Sequence, residues 1–485
     1  MYKYIFDEET GGLLLTDVDA QFSKEPRPIY AAEMNILGFD RRWIYDDQND
    51  VPYLWAESGN YFYRGKKIAV VKGGSLYEAP QLEFVEVDGV NGLPQGETLL
   101  PIDLRAMSAK NFELLENLRQ STIKRIYGYW RRNRTRLDCF HVAFSGGKDS
   151  VVLLDLVKQA LPKTSFIVVF GDTRMEFPDT YTVVDAVEKQ CKAEGIGFYR
   201  AASALDPEES WKLFGPPSTV LRWCCSVHKA APQTLKIREI LGKTNFVGAD
   251  FVGVRGDESK RRSEYDVENV GKKQRGQYSV NPILEWGAAE IWLYIFMFGL
   301  PINECYKKGN GRAGCLMCPM TSGRSVFFRR DAYPAEVDRF TKYIADNVVD
   351  ENIDSYIANG GWVNRKNGRD LKSPVTNYSE KISAGYLYIT VADPKTDWRE
   401  WIKTIGEPDF PYEVNVLEDK SVVAKVSAVY DKTPAMKTFK SIFHKTAACV
   451  GCGVCESNCR QGAISFKDGL HIEKKNAFTA WSATI

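Results

Sequence analysis

Histidine is scarce in this chain, which has 4 His against 11 Cys in 485 residues. That scarcity argues against multi-histidine metal sites and multi-histidine catalysis. An excess of charge of one sign is also missing, because 64 Lys and Arg balance 63 Asp and Glu to a net charge of +1. No global electrostatic field therefore draws the whole protein onto nucleic acid or onto a membrane surface.

Long apolar runs are absent as well. The longest candidate, residues 291–301 (IWLYIFMFGLP), is too short to cross a bilayer and predicts a buried helix instead. The first residues, MYKYIFDEETGG, lack the basic and apolar segments of a signal peptide. We therefore expect a cytoplasmic protein with no membrane partner. Its clustered cysteines are then expected to be metal ligands rather than disulfides.

The length suggests about three domains, and the residue patterns divide the chain into five segments. Residues 1–100 predict a β-rich domain for packing, dimerisation or docking, because aromatic and β-branched residues alternate between glycine turns. Residues 101–138 predict a basic linker helix, and residues 139–325 alternate apolar strands with helices. Residues 326–440 predict an α+β domain without a chemical motif, and residues 441–485 carry a dense cysteine cluster.

The linker helix is basic over residues 119–136, which include seven Lys or Arg and no acidic residue. Tyr127, Tyr129 and Trp130 are interleaved with these cations. Arginine beside stackable aromatic rings suits a phosphate backbone or unstacked bases. A solvated helix face explains the same charges, so tRNA or DNA stays one of two interpretations here.

The strand–helix alternation predicts an α/β fold with a doubly wound parallel sheet. A short apolar strand at 141–144 is followed by the string SGGKDS and then by an amphipathic helix. At such a position backbone amides and the helix dipole converge on an anion, and glycine lets phosphate approach. The Walker spacing is absent. The predicted phosphate-binding residues are Ser145, Gly146, Gly147, Lys148, Asp149 and Ser150.

This string resembles the PP-loop of the ATP-pyrophosphatase superfamily, whose fold is adenine nucleotide alpha hydrolase-like. The resemblance implies binding of ATP with Mg²⁺, or of an adenylyl sulfate in the same cradle. Residues 171–178 (GDTRMEFP) are similar to the family's DTxxxFP segment, which implies nucleotide or metal-site roles for Asp172, Thr173 and Glu176. Lys148, Asp149 and Asp172 are the candidate catalytic residues. Asp172 could equally cap the turn after its strand.

A first cysteine set combines the adjacent Cys224 and Cys225 with the C-x2-C pair Cys315 and Cys318. Adjacent cysteines suit two corners of a cubane cluster better than a zinc knuckle, although buried thiols would explain the first pair alone. With their flanking residues, LRWCC and RAGCLMCP, the two pairs resemble the CC…CxxC motif of the adenylyl sulfate (APS) and phosphoadenylyl sulfate (PAPS) reductase family. Some members of that family carry a 4Fe–4S cluster beside the PP-loop.

Between the two pairs, residues 253–262 (GVRGDESKRR) are similar to the GxRxxES…R substrate segment of this family. The resemblance implies substrate contacts for Arg255, Glu258 and Arg262, since forked guanidinium groups hold anionic oxygens well. A solvated loop is the alternative for both arginines. In all, the resemblance covers about residues 140–321.

The chain departs from the sulfonucleotide reductases at one point. Those enzymes carry a nucleophilic cysteine in a C-terminal tail, and no cysteine follows Cys459 here. The lysine at 148 also resembles the ATP-cleaving members more than the reductases. Both features favour ATP-dependent adenylation coupled to sulfur transfer, as in PP-loop proteins of DNA phosphorothioation or tRNA thiolation.

A second cysteine set has the spacing C-x2-C-x2-C-x3-C of bacterial ferredoxins, which predicts a ferredoxin-like 4Fe–4S module, with zinc as the alternative. Its members are Cys449, Cys452, Cys455 and Cys459. Because only one such run exists, Cys459 either ligates this cluster or leaves the fourth position to another residue. The remaining cysteines, Cys139, Cys191 and Cys305, are predicted to be buried thiols.

These observations together predict an iron–sulfur PP-loop enzyme of the PAPS-reductase family. It would adenylate an acceptor with ATP so that sulfur can be transferred to a nucleic acid or a small molecule. The expected cofactors are two 4Fe–4S clusters and an adenine nucleotide with Mg²⁺. The expected partners are an electron donor such as ferredoxin or thioredoxin, a tRNA or DNA acceptor, and a cysteine desulfurase. The alternatives are a sulfonucleotide (PAPS/APS) reductase and a non-catalytic nucleotide-sensing subunit of a thiolation complex.

Overall fold

The computed structural model describes residues 1–20, 24–270, 277–321, 323–372 and 377–474. Within those ranges, no helix is both long enough and apolar enough to cross a membrane. The apolar run noted in the sequence forms the helix Ala288–Phe298, and its residues 288–295 are all buried. It is therefore a core helix, as its length predicts.

The N-terminal region is β-rich, as predicted. A hairpin and a five-stranded antiparallel sheet, in the order β3-β4-β5-β6-β7, lie beside a short helix. Their bounds are β1 (Tyr2–Phe6), β2 (Leu13–Asp19), β3 (Arg27–Ile29), α1 (Ala31–Leu37), β4 (Leu54–Glu57), β5 (Asn60–Tyr63), β6 (Lys66–Lys72) and β7 (Gln81–Phe84). Arg64 and Gly65 join β5 to β6 with φ of 46° and 84°, the left-handed pair that a tight hairpin turn requires.

The central sheet has six strands in the order β10-β9-β8-β11-β13-β12. The strands are β8 (Cys139–Phe144), β9 (Ile167–Asp172), β10 (Gly197–Ala202), β11 (Gly248–Phe251), β12 (Glu268–Val270) and β13 (Gln277–Val280). All pairings are parallel except that of β12, which lies antiparallel to β13 at the sheet edge. The predicted α/β fold is thus confirmed, with the correction that the sheet is mixed rather than wholly parallel.

Helices cover both faces of this sheet. They are α2 (Leu104–Asn133), α3 (Lys148–Ala160), α4 (Pro178–Ala193), α5 (Pro207–Phe214), α6 (Trp223–Cys225), α7 (Ala231–Leu241), α8 (Lys260–Ser263) and α9 (Ala288–Phe298). Within β9, Val168 and Phe170 join the core formed with α2, α3 and α9, whereas Val169 packs with Ile237 of α7. Successive strand residues point to opposite faces, so these two cores are the two sides of a doubly wound sheet.

The remaining elements complete the described chain. Four helices follow the central sheet, and a four-stranded antiparallel sheet in the order β14-β15-β17-β16 precedes the second cysteine set. Their bounds are α10 (Gly323–Ala332), α11 (Pro334–Asn347), α12 (Ile353–Ala358), α13 (Gly361–Asn364), β14 (Tyr378–Ser383), β15 (Tyr386–Val391), α14 (Trp398–Ile402), β16 (Tyr412–Val416), β17 (Val422–Ser427), α15 (Pro434–Ala448), α16 (Val454–Asn458), β18 (Ile464–Ser465) and β19 (His471–Ile472).

The hydrophobic cores cross two of the segment boundaries predicted at 325 and 440. Helices α11 to α13 pack into the main core, through residues such as Phe340 and Trp362. The sheet β14–β17 shares a separate core with α15 and with Cys459 of the cysteine loop. Phe328 of α10 packs into the core of the N-terminal sheet, so residues 326–440 are divided among three hydrophobic cores.

Candidate functional site

The SGGKDS string lies at the carboxyl end of β8, where β9 departs to one side and β11 to the other. Ligands of open α/β sheets bind at such a switch point. Gly146 has φ of +69°, and a Cβ there would lie 2.8 Å from the Cγ2 of Thr180. Glycine is therefore required for the turn that presents the first amides of the 13-residue helix α3 at this edge.

The hydroxyl groups of Ser150 and Tyr306 form hydrogen bonds with the backbone of this loop. Ser150 Oγ donates to the carbonyl of Gly147 at 2.8 Å and accepts from the Ser145 amide at 3.2 Å. Tyr306 Oη accepts from the amide of Lys148 at 3.0 Å and from that of Ala313 at 3.3 Å. Sequence reasoning missed Tyr306, because 158 positions separate it from Lys148. Ser150 and Tyr306 shape the loop in this structure.

Two cations flank the carboxylate of Asp149. Lys148 Nζ lies 2.8 Å from Asp149 Oδ2, and Arg255 Nε donates to Asp149 Oδ1 at 2.7 Å. Burial raises the pKa of Asp149, but the charges of Lys148 and Arg255 outweigh burial and bring that pKa to about 2. Asp149 is therefore ionised at neutral pH and fixes the position of the Lys148 ammonium.

Arg255 is fully buried, with 0% of its surface exposed. Besides Asp149, its guanidinium donates to Asp257 at 2.6 and 2.7 Å and to Glu25 at 3.0 Å. Gly253 lets its backbone approach the loop, since a Cβ there would lie 3.0 Å from the Asp149 carbonyl carbon. Each guanidinium nitrogen thus has a carboxylate partner. The substrate contact predicted for Arg255 stays a prediction, and its present contacts fit a positioning role.

The other two predicted substrate residues pair with each other. Arg262 forms an ion pair with Glu258 one helical turn away. Burial, followed by the nearby Arg312, lowers the pKa of Arg262. Arg262 lies within electrostatic reach of Asp149 and Arg255, and the predicted role of the pair in substrate binding stays a prediction.

The DTxxxFP segment follows β9 at the same sheet edge. Asp172 Oδ1 accepts from the Arg174 amide and from the Tyr181 hydroxyl, each at 2.8 Å. Asp172 therefore does cap the turn after its strand, which was the structural alternative for this residue. Thr173 is buried and its hydroxyl donates to Glu176 Oε1 at 2.9 Å. The segment is thus ordered by its own acidic and hydroxyl groups.

One edge of the central sheet carries residues 145–150 and 171–178, and it is called the nucleotide edge here. Glu176 connects this edge to the first cysteine set. Its backbone forms a β-bridge with Cys315, and the Cys315 thiol donates to Glu176 Oε1 at 3.7 Å. Lys229 Nζ lies 3.6 Å from the same carboxylate oxygen, and the proximity of Cys315 and Glu176 raises the pKa of Lys229. Lys229 was missed, although it follows Cys225 by one helical turn and so shares its face.

The four thiols of the first set lie within electrostatic reach of one another. The hydrogen bond from Cys224, helped by the Arg222 guanidinium 3.6 Å away, lowers the pKa of Cys225 to about 5 against the effect of burial. The hydrogen bond to Cys225, burial and the charges of Cys225, Cys315 and Cys318 raise the pKa of Cys224. The two pairs, about 90 residues apart in the chain, are thus brought together.

In the second set, Gly451 and Gly453 have φ of +67° and +74°, which permits the predicted tight wrap. Burial and the charges of Cys449 and Cys452 raise the pKa of Cys455 to about 12. Cys459 differs, because it is 1% exposed and packs into the C-terminal core. Both interpretations of the fourth ligand stay open.

Within the described ranges, no group of three or more His, Cys, Asp or Glu side chains is placed to hold a metal ion. The charges around the thiols nevertheless suit an anionic cluster. Buried Arg329 donates to the carbonyls of Leu316 and Cys315, and buried Arg238 donates to that of Cys459. Among the described residues neither arginine forms an ion pair, and each Nε lacks a hydrogen-bond partner. Glu456 and Cys459 lie within electrostatic reach of Arg238, and Cys305, Cys315 and Cys318 within that of Arg329, so each cation would also favour a negatively charged group nearby.

The other cysteines and the basic stretch behave more simply. All eleven cysteines are free thiols, and the three spare ones are buried, as predicted.

Along α2, cations at 119, 125 and 132 form ion pairs with glutamates at 116, 285 and 268. Three of the seven cations are thus neutralised within the chain, which weakens the case for a phosphate-binding face.

Residues 140–321 match the family model of the phosphoadenosine phosphosulfate reductase domain. That range coincides with the resemblance recognised from the motifs, so residues 140–321 are similar to this domain. An uncharacterised protein of Methanocaldococcus jannaschii is 33% identical over 230 residues, which are 46% of this chain and 44% of that protein. The chain thus spans less than half the length of that relative.

An adenosine 5'-phosphosulfate reductase of Salinibacter ruber is 28% identical over 199 residues, covering 40% of this chain and 72% of the reductase. Among solved structures, the tRNA thiolase NcsA of Methanococcus maripaludis, with its 4Fe–4S cluster, matches at 15% identity and a TM-score of 0.30. That match covers 52% of this chain and 79% of the thiolase. A TM-score this low supports no conclusion about activity.

Proposed function

We propose that this chain is an iron–sulfur PP-loop enzyme that activates an acceptor by ATP-dependent adenylation for sulfur transfer. The observation that carries the proposal is the contact between the nucleotide edge and the first cysteine set, where Glu176 meets Cys315. An acceptor activated at residues 145–150 would then lie beside thiols that can take part in delivering sulfur. A domain that only senses a nucleotide would not require that juxtaposition.

The proposed reaction has two steps. An acceptor oxygen attacks the α-phosphorus of ATP, an acceptor–oxygen–phosphorus bond forms, and the α–β anhydride bond breaks to release pyrophosphate. The outer sulfur of a persulfide, supplied by a partner such as a cysteine desulfurase, then bonds to the acceptor carbon, and two electrons from a donor such as ferredoxin or thioredoxin break the S–S bond and release the partner's thiol. AMP leaves with the acceptor oxygen and its electron pair.

Two features of the phosphate loop would stabilise the first step. The amides at the start of α3 and the Lys148 ammonium would neutralise charge that develops on the departing pyrophosphate. Asp149, held in turn by Arg255, sets the position of that ammonium. Arg255 acts here as a positioning residue.

Oxygen ligands for Mg²⁺ are available from the segment that follows β9. Carboxylate and hydroxyl oxygens are what Mg²⁺ prefers in nucleotide sites, and Asp172, Thr173 and Glu176 supply them. The Asp172 oxygen that caps the turn has its position fixed by two hydrogen bonds, which suits a ligand that must be preorganised.

The cysteine sets would hold the iron–sulfur groups. Cys224, Cys225, Cys315 and Cys318 would bind the first, and the set that begins at Cys449 would bind the second. A bound 4Fe–4S cluster would supply one-electron transfer beside the nucleotide. Lys229, between Glu176 and Cys315, would balance the negative charge there.

A sulfonucleotide reductase is the second candidate. It is favoured by the match of residues 140–321 to the PAPS reductase domain and by the likeness to an APS reductase. In that case the loop would hold an adenylyl sulfate, and an external thiol or ferredoxin would supply the electrons.

Nucleotide protection against thermal unfolding distinguishes the two candidates. The expected result is stabilisation by ATP with Mg²⁺ of about 2.7 kcal/mol at a hundredfold excess over Kd, and less by PAPS or APS. The reverse order would favour the reductase.

Pyrophosphate release tests the loop itself. Lys148→Ala should lower release from ATP by about 100-fold, the effect of losing one preorganised charge in a transition state. Lys163→Ala is the matched control, because the Lys163 side chain is partly exposed and pairs only with Glu194 in the described chain. Unchanged release in Lys148→Ala would show that the loop is not catalytic.

A further inference from the structure

One helical run begins at the first cysteine set and reaches the second. It comprises α6 with Cys224 and Cys225, a π-helical turn at Ser226–Ala230, and α7. Pro232 explains the wide turn, because proline has no N–H and its ring collides with the carbonyl four residues earlier. Leu235 lies ten positions after Cys225, about 15 Å along a helix axis.

The second cysteine loop packs closely onto this run. At Gly453 a Cβ would lie 3.2 Å from the Cδ1 of Leu235, so a glycine permits the close approach. One cavity is lined both by Ser226, the neighbour of Cys225, and by Val454 and Ser457, which flank Cys455. The two cysteine sets are therefore adjacent in space, on either side of this contact.

Arg238 of α7 makes the polar part of the contact. Its guanidinium donates to the carbonyls of Glu456 at 2.8 Å, Ser457 at 2.9 Å and Cys459 at 3.2 Å. The Glu456 carbonyl also accepts from the Cys459 amide at 3.1 Å and the Cys459 carbonyl from the Gly462 amide at 3.2 Å, so Arg238 adds a second donor to each. Since Arg238 is only 9% exposed, the bonds are shielded from water and hold the cysteine loop in one orientation.

We propose that Arg238 fixes the second cysteine set against the helix that starts at the first, so that the two sets form one electron-transfer unit. This proposal rests on the proposed function, since it requires a 4Fe–4S cluster at each set. One electron would leave the reduced group held by the C-terminal cysteines and enter the oxidised group held by the first set. A low-potential one-electron donor of the ferredoxin class would then reduce the C-terminal group again.

The test compares Arg238→Ala with Lys236→Ala after anaerobic purification and reduction by dithionite. Lys236 is the matched control, because it lies on the same helix and pairs at the surface with Glu239. Two reduced clusters at adjacent sites should split or broaden each other's electron paramagnetic resonance signals. We expect that interaction in the native protein and in Lys236→Ala, and its loss in Arg238→Ala at an unchanged content of about eight irons per chain.

A second readout and a milder variant cover the case in which Arg238→Ala folds poorly. Arg238→Lys keeps one donor, and we expect a weakened spin interaction. In both variants, amide hydrogen exchange over residues 454–459 should accelerate at least tenfold relative to the control. Unchanged exchange in both variants would overturn the docking role of Arg238.

The outcomes separate this proposal from the proposed function. About eight irons in the native protein without any spin interaction would overturn the electron-transfer unit alone. About four irons, or none, would instead remove the two-cluster premise on which the proposed function depends.

Discussion

The most demanding prediction concerns Arg255, whose replacement by Met removes a buried cation from between three carboxylates. The guanidinium contacts Asp149, Asp257 and Glu25, and none of its own surface is exposed. Methionine has a similar volume, so the main loss is the charge and its hydrogen bonds.

The expected magnitude follows from the state of Asp149. Its pKa of about 2, against 3.8 in an unperturbed carboxyl, corresponds to about 2.5 kcal/mol in favour of the ionised form. Arg255 supplies part of that preference, and Lys148 supplies the rest. Because Arg255 also neutralises Asp257 and Glu25, we expect a total loss of about 3–5 kcal/mol, as for other broken buried ion pairs.

The loss of stability in Arg255→Met should depend on pH, and the direction of that dependence follows from the pKa of the carboxyls around Arg255. In the native protein the pKa of Asp149 is depressed, so its stabilising contribution is present above the unfolded pKa and is lost as pH falls through about 2. In Arg255→Met the buried Asp149 and Asp257 carboxyls lose a guanidinium charge that favours their ionised forms, so their pKa should rise above the unfolded value. The stability gap between variant and native protein should therefore narrow as pH is lowered from 7 towards 5.

Urea unfolding at pH 7 and pH 5, followed by tryptophan fluorescence, measures the gap. Arg200→Met is the control, since Arg200 forms ion pairs with Asp185 and Glu188 at the surface and should cost at most about 1 kcal/mol. A loss below 1 kcal/mol for Arg255→Met at pH 7, or a gap independent of pH, would refute the electrostatic account of this residue.

Two further predictions concern the loop and the clusters. Gly146→Ala should abolish nucleotide protection in a thermal shift assay, because it adds both a left-handed strain and a 2.8 Å contact. Gly195→Ala has a similar φ of +73° with open space around it, and should keep the protection. Cys315→Ser and Cys452→Ser should each lower the iron content by about four per chain, since they belong to different sets. An equal content in Cys315→Ser and the native protein would remove the first set from cluster binding.

The candidate site was predictable where its chemistry is encoded over a few residues. The string at 145–150, the segment at 171–178 and the two cysteine spacings are local patterns whose geometry follows from short stretches of backbone. The positioning contacts were not predictable in this way. Tyr306 reaches Lys148 across 158 positions, and Arg238 reaches Glu456 across 218.

The fold also has features that the sequence predicts and features that it does not. The alternation of apolar strands with helices predicts the α/β sheet, because each parallel pairing needs a helical crossover. It does not predict that β12 runs antiparallel at the edge, where one neighbour suffices and no crossover is required. Nor does a local pattern predict that residues 326–440 divide among three cores, since Phe328, Phe340 and Val422 each join a different set of apolar side chains.

By itself, the sequence determined that a Gly-Gly-Lys loop lies at a strand–helix junction and that eight thiols form two spaced sets, and it predicted anion binding at the loop. Those properties depend on residue type and short spacing, which survive in any fold that keeps the local backbone. Only the tertiary structure decided that Glu176 meets Cys315, that Arg255 is enclosed by carboxylates, and that α7 carries the second cysteine set next to the first. The reason is physical, because burial and long-range contact set charge, pKa and distance, and neither exists until the chain is packed.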